Sequence, residues 1–346
     1  MNMETITIEG IPTAVSRIGL GTWAIGGWMW GGADDASSVA AIRKAIERGI
    51  NLIDTAPVYG FGHAEEIVGQ ALKGIRGQAV IATKAALAWP DGKVRRNATA
   101  GRIRSEIEDS LRRLRTDHID LYQVHWPDPL VPHEETALAL EKLKQEGKIL
   151  AIGVSNYSSR QMEGFRRTGH LAAVQSPYNL FERAIEDDVL PYAARSGLVV
   201  LAYGALCRGL LSGRMDAHTT FTGDDLRKAD PKFREPRFRQ YLSAVRALDR
   251  YAQERHGRTV LALAVRWILD QGPTIALWGA RRPEHLEDVD AALGWRLDEQ
   301  DLQRIDELLA EHITDPIGPE FMAPPARPIA QPAASDVESS SRVAWP

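Results

Sequence analysis

One carboxylate, one phenol, one amine and one imidazole stand at or just beyond the downstream ends of short apolar runs. Asp54 follows Asn51-Leu52-Ile53, and Tyr59 lies five residues further on. Lys84 closes Ala79-Val80-Ile81-Ala82-Thr83, and His125 closes Ile119-Asp120-Leu121-Tyr122-Gln123-Val124. Together they contain a proton donor, a cation to polarise it, an anion to hold that cation, and a second hydrogen-bond donor, which is a proton-transfer set. Taken singly, each has a plainer explanation: Asp54 as a helix cap, Lys84 as a solvated strand end, His125 as a loop residue before Trp126-Pro127-Asp128. Taken together they predict convergence, because the ends of consecutive strands in a parallel barrel are neighbours on one rim.

The elements that must position them follow from periodicity. From about residue 17 to residue 295, apolar runs alternate with amphipathic stretches, the pattern of repeated βα units. Strands are expected to end near Gly21, Asp54, Lys84, His125, Ser155, Gln175, Tyr203 and Leu277. Eight such units predict an α/β fold, a (β/α)₈ TIM barrel, rather than a doubly wound sheet with fewer strands. Residues 5–16 alternate and turn at Gly10-Ile11-Pro12, predicting an N-terminal β-hairpin that closes the barrel floor. Helical spacing is clearest at Ile103, Ile107, Leu111 and Leu114, and at Val260, Leu263, Ala264, Trp267 and Ile268, with Thr259 as a cap and Gly272 as an end. Core packing accounts for both stripes.

Residues 204–244 form a connection too long for a simple βα loop, and such loops usually cover a site. The expected organisation is a barrel domain over residues 1–315 and a Pro/Ala/Ser-rich tail over 316–346. The tail's earlier part, residues 318–325, is expected against the barrel and its polar end to be mobile.

The 346 residues are 44% hydrophobic and 25% charged, an ordinary globular composition able to bury a large core. A formal net charge of -4 and no basic stripe argue against nucleic-acid binding. The single cysteine, Cys207, excludes an intramolecular disulfide and suits a reducing compartment. No leader pattern and no run of 18 apolar residues is present, so the expectation is a cytoplasmic protein without a membrane partner. Monomer and homo-oligomer both stay open.

Other motifs are weaker. Gly19-Leu20-Gly21-Thr22-Trp23-Ala24 matches a dinucleotide fingerprint, but Ile25-Gly26-Gly27-Trp28-Met29-Trp30-Gly31-Gly32 follows where a helix should open. A glycine-rich loop at the barrel mouth is the better reading, with Trp23, Trp28 and Trp30 as walls. No metal site is expected: the histidines are scattered, and His133-Glu134-Glu135 lacks a second histidine at helical spacing. Cys207 is expected to be a small buried side chain.

The segment Asp54-Thr55-Ala56-Pro57-Val58-Tyr59-Gly60, with Lys84, His125, Gly153-Val154-Ser155-Asn156, Gln175 and Tyr203-Gly204-Ala205-Leu206-Cys207-Arg208-Gly209-Leu210-Leu211-Ser212-Gly213, resembles the aldo-keto reductases. The likeness spans residues 15 to about 312. It implies NADPH/NADP+ extended across the barrel mouth and hydride transfer to a small aldehyde or ketone. Tyr59 is then the general acid, Lys84 a cation that lowers its pKa, Asp54 the anchor of Lys84, and His125 a neutral donor to the carbonyl oxygen.

The same resemblance assigns Ser155, Asn156 and Gln175 to the nicotinamide carboxamide and Tyr203 to its ring. Gly21, Thr22 and Trp23 join the cofactor contacts. The backbone of Gly204, Leu206, Cys207 and Gly209, with Arg208 nearby, is assigned to the pyrophosphate. Gly279, Arg281, His285 and Asp288 go to the adenosine end, in a segment expected to open a helix, with Arg281 gripping a 2′-phosphate.

This chain departs from the family in having Asp288-Val289 where Glu-Asn is frequent, His285 for Gln, and Gly204-Ala205 for Ser-Pro. Trp126 directly after His125 is a further departure, and Trp28, Trp89 and Trp126 are expected to wall a substrate pocket. Two other function classes fit less well. One is a nicotinamide-binding redox-sensing subunit with little turnover, the other a barrel isomerase or lyase without nicotinamide.

Overall fold

The computed structural model describes residues 3–328. Runs such as Val80–Ala85 and Ile119–Val124 are buried at every position, as parallel strands covered on both faces must be. They belong to eight parallel strands: Ile18–Gly21, Leu52–Asp54, Val80–Ala85, Ile119–Val124, Ile149–Ser155, Ala173–Pro177, Val199–Tyr203 and Thr274–Gly279. Pairing of Thr274–Gly279 with Ile18–Gly21 closes the barrel. The last strand runs two residues past the expected Leu277.

The barrel interior is filled. Leu52, Val80, Leu121, Ala151, Ala173, Leu201 and Ile275 pack together with Ile8, Ile11 and Val15 from the N-terminal segment. That segment is the expected hairpin, with Thr5–Ile6 paired antiparallel to Val15–Ser16, and it shuts the floor. The opposite, C-terminal rim is left to carry chemistry.

Helices wrap the outside, each stopped and started by local chemistry. The Thr99 and Thr259 side chains accept hydrogen bonds from Arg102 N and Ala262 N at the starts of Ala100–Leu114 and Val260–Leu269. Gly272 is not the end of the second helix, which stops at Leu269; with φ +81° it turns the chain into the eighth strand.

Two other expectations change. The long connection ends at residue 236, because Phe238, Tyr241, Leu242 and Val245 are the buried face of a helix, Arg237–His256. After the eighth strand the expected helix is instead two 3₁₀ turns, Pro283–Leu286 and Val289–Ala292. Leu286, Val289 and Ala292 are all buried, and their three-residue spacing suits a 3₁₀ turn rather than an α-helix.

Beyond the last helix, Glu299–His312, the chain returns across the barrel mouth. Lys232 donates to Gly318 O, and Arg96 donates through its backbone N to Pro325 O and through Nε to Pro324 O. Arg327 pairs with the buried carboxylate of Asp128. Residues 318–325 therefore do lie against the barrel; the expected mobile end falls outside the described residues. Among the described residues no helix is long and apolar enough to cross a membrane.

Candidate active site

Asp54 ends the second strand, Lys84 lies near the end of the third, and both are buried at 3% and 0% exposure. Lys84 Nζ lies 2.8 Å from each carboxylate oxygen of Asp54, 3.0 Å from Thr55 O and 3.4 Å from Tyr59 Oη. The rings of Tyr59 and His125 meet edge-on with centroids 5.8 Å apart. The four groups converge.

Glycines set where Tyr59 sits. A Cβ on Gly26 would fall 2.5 Å from the Tyr59 carbonyl carbon, and one on Gly60 would fall 2.1 Å from Gly26 O. Only bare backbone lets the first loop touch the Tyr59 turn, and Gly60 also needs its φ of +64°. Asp54 is held from two sides: Gln175 Nε2 donates to Oδ1 at 2.8 Å, and the Thr22 hydroxyl donates to its carbonyl at 2.9 Å. Thr22, expected at the cofactor, thus has its hydroxyl committed to the second strand.

Burial, then the charge of Asp54, pushes the Tyr59 phenol well above 10. The net direction is upward: the lowering expected from Lys84 does not outweigh burial. The ammonium is matched by a carboxylate at 2.8 Å, so the phenol meets a nearly neutral ion pair in a dry site. Lys84 is itself drawn below 10.5 by burial, against the pull of Asp54. His125 is pushed well below 6.5 by burial and by Lys84, so it is neutral as expected.

Two cavities of about 360 Å³ each meet at this point, sharing Trp23, Tyr59, Tyr203 and Met322. One is polar. Gly21, Gly204, Gly209 and Gly279 open its walls to backbone, and Arg227 and Arg281 bring charge. Burial, then the neighbouring Arg282 and Arg227, lowers Arg281 below 12.5, and its Nη1 donates to Trp30 O at 3.1 Å. These residues fit a phosphorylated nucleotide. Leu206 and His285 line the same cavity.

The other cavity is apolar, walled by Trp28, Val58, Leu87, Trp126 and the returning tail at Phe321 and Pro324. Ser155, Asn156 and Gln175 line it beside Tyr59 and His125. Asn156, at φ +61°, donates through its amide to His125 O and Ser155 Oγ and accepts from the Tyr203 hydroxyl. Gln175 has its amide nitrogen on Asp54, which leaves its oxygen as the group able to take a carboxamide.

Cys207 is the small buried side chain expected, with burial pushing its thiol up to about 12. Arg208 lines the polar cavity, but its guanidinium is tied to Glu182 and Asp230. Two expected residues are not brought in. Asp288 faces Arg214 at 3.6 Å and lines neither cavity. Trp89 packs on Phe61 and under Arg102, behind the pocket wall. Conversely, Arg227, Met29, Phe321 and Met322 were missed. They sit on segments already expected near the mouth, namely the glycine-rich first loop, the 204–244 connection and residues 318–325, but no local signal says which of their side chains face the cavities.

A filled barrel whose rim joins a proton donor to a cationic nucleotide groove defines a barrel oxidoreductase. Sequence comparison is specific: residues 17–310 match the Aldo/keto reductase family, and the chain belongs to it. It is 57% identical to the aldo-keto reductase YhdN of Bacillus subtilis, over 94% of this chain and 99% of that protein. It is 36% identical to the NADH-specific methylglyoxal reductase of Escherichia coli, over 86% and 96%. Among solved structures, the glycerol dehydrogenase of Gluconobacter oxydans superposes with a TM-score of 0.85 at 55% identity, covering 93% of this chain and all of that one. An aldo/keto reductase from Klebsiella pneumoniae in complex with NADP and acetate matches with a TM-score of 0.69 at 32% identity, covering 89% and 96%.

Proposed function

We propose that this protein reduces small aldehydes or ketones to alcohols with NADPH, using Tyr59 as the general acid. The observation that carries the reading is the Tyr59 hydroxyl, 3.4 Å from a buried ammonium, at the meeting point of a polar and an apolar lobe. With its phosphates toward Arg281 and its carboxamide toward Ser155, Asn156 and Gln175, where the two lobes meet, a reduced nicotinamide would supply the hydride for the carbonyl carbon.

The chain's own residues do the rest. Tyr59 gives its proton to the carbonyl oxygen as charge develops there; burial keeps the phenol protonated, ready to donate, at neutral pH. Lys84 faces the phenolate oxygen left behind, and Asp54 keeps that ammonium charged and in place. Neutral His125 offers a second hydrogen bond and cannot compete as a charged acid. Ser155, Asn156 and the free oxygen of Gln175 suit the carboxamide. Arg281 suits a 2′-phosphate, which favours NADPH over NADH, while Arg227 beside it is paired with Asp225.

The apolar walls Trp28, Trp126, Phe321 and Met322 suit a carbonyl bearing a flat or apolar body. Tyr59→Phe tests the reading. NADPH binding is expected to persist while turnover falls by about two to four orders of magnitude; near-normal turnover would reject Tyr59 as the acid.

A further inference from the structure

Arg208 borders the polar lobe, yet its guanidinium is already committed to carboxylates of the protein itself. Its Nη2 meets Glu182 and its Nε meets Asp230, each at 2.5 Å, while Lys232 Nζ lies 2.8 Å from Glu182. All four residues are 6% exposed or less. Two acids and two bases cancel. Burial alone would push the Glu182 carboxyl toward neutrality, but Arg208 and Lys232 hold it below its usual range. A buried cluster of this kind is costly to build, and its best-attested return is a fixed geometry.

The geometry it fixes extends in two directions. On one side, Cys207, Arg208 and Gly209 take left-handed backbone in succession, with φ of 44°, 55° and 91°, strained for the two that carry a Cβ. That turn is the wall of the polar lobe. Asn179 braces it by donating to both Glu182 Oε2 and Gly204 O. On the other side, Lys232 donates to Gly318 O at 3.2 Å, and the Arg208 guanidinium lies 5.8 Å from the centre of the Phe321 ring. Phe321 is part of the roof of the apolar lobe.

We propose that Glu182, Arg208, Asp230 and Lys232 form a positioning joint, one ion cluster that holds the nucleotide wall and the carbonyl roof in register, so that each lobe senses the other. The inference rests on the reductase reading above. Arg208 is then a positioning residue rather than a phosphate ligand. A cluster that merely stabilised the fold would lower the melting temperature on removal without linking the two lobes.

The test is a double-mutant cycle on NADPH affinity, read as quenching of tryptophan fluorescence with no carbonyl present. Phe321→Ala is combined with Glu182→Gln/Arg208→Gln, which keeps the cluster neutral. Phe321 lines the apolar lobe and not the polar one. Its loss should weaken NADPH binding about threefold to tenfold in the parent, and have almost no effect once the joint is neutralised. Equal effects in both backgrounds overturn the joint while leaving the reductase reading intact. If the parent binds no NADPH, both fall. Should the neutralised protein fail to fold, Arg208→Lys takes its place in the cycle, and an undiminished Phe321 effect in that background overturns the proposal. Arg208→Lys, which keeps a cation in the cluster, should retain part of the Phe321 effect.

Discussion

Replacing Lys84 with Met asks the most of the proposed chemistry. The ammonium stands 3.4 Å from Tyr59 Oη. A unit charge at that distance from a phenolate is worth about 5 kcal/mol at an effective dielectric constant of ~20. Asp54, bound to the same ammonium, cancels part of this, leaving roughly 2 to 4 kcal/mol. That predicts a fall in kcat of about 30- to 1000-fold. The fold suffers as well: Asp54 would stay buried with Gln175 but no cation, a loss of about 3 to 5 kcal/mol. The double variant Lys84→Met/Asp54→Asn separates the two effects, since it removes the stranded carboxylate and should recover most of the stability but none of the rate. Single-turnover loss of NADPH absorbance at saturating cofactor, beside urea denaturation, measures both. A single-turnover rate within about threefold of the parent, or a double variant that regains rate and stability together, would refute the assignment of Lys84 to the phenolate.

Three further outcomes follow from the charges and their surroundings. Because reduction needs Tyr59 protonated and burial raises its pKa, kcat should stay flat from about pH 6.5 to about 10 and fall only above, as the phenol ionises; a fall centred near pH 8 would contradict this. Burial pushes the Glu106 carboxyl up to about 7 from 4.5, so the folded chain holds that proton more tightly than the unfolded one. Its contribution is present below about pH 4.5 and is lost as pH rises through 7, about 3 kcal/mol in all; Glu106→Gln should flatten that slope in denaturation curves, and an unchanged slope would place the titration elsewhere. Arg281→Ala should weaken NADPH about tenfold to a hundredfold and leave NADH nearly unaffected in fluorescence titrations; equal losses would mean the guanidinium does not discriminate a 2′-phosphate.

The barrel was legible because its signals are local. Each apolar run at strand length and each helical stripe marks itself, and the residue closing a parallel strand must sit on the rim. That is why Asp54, Lys84 and His125 were found together. The misses share the opposite property. Arg208 looked like a free cation because Glu182, Asp230 and Lys232 lie 22 to 26 residues away. Arg227 was overlooked because nothing within a Gly- and Asp-rich loop says which way it crosses the mouth. The 3₁₀ turns after the eighth strand hid behind a proline and a three-residue spacing easily mistaken for helix.

Taken by itself, then, the amino-acid order determined the strand count, the closed floor and which four polar groups meet at the rim, since all of these depend on neighbours within a few residues. Tertiary structure alone decided how those groups ionise, which cations stay available and what roofs the carbonyl lobe. Ionisation follows from desolvation and from charges brought together across the fold, as when Asp54 cancels part of the field Lys84 imposes on Tyr59, and neither burial nor pairing across the barrel is a property of any local stretch of chain.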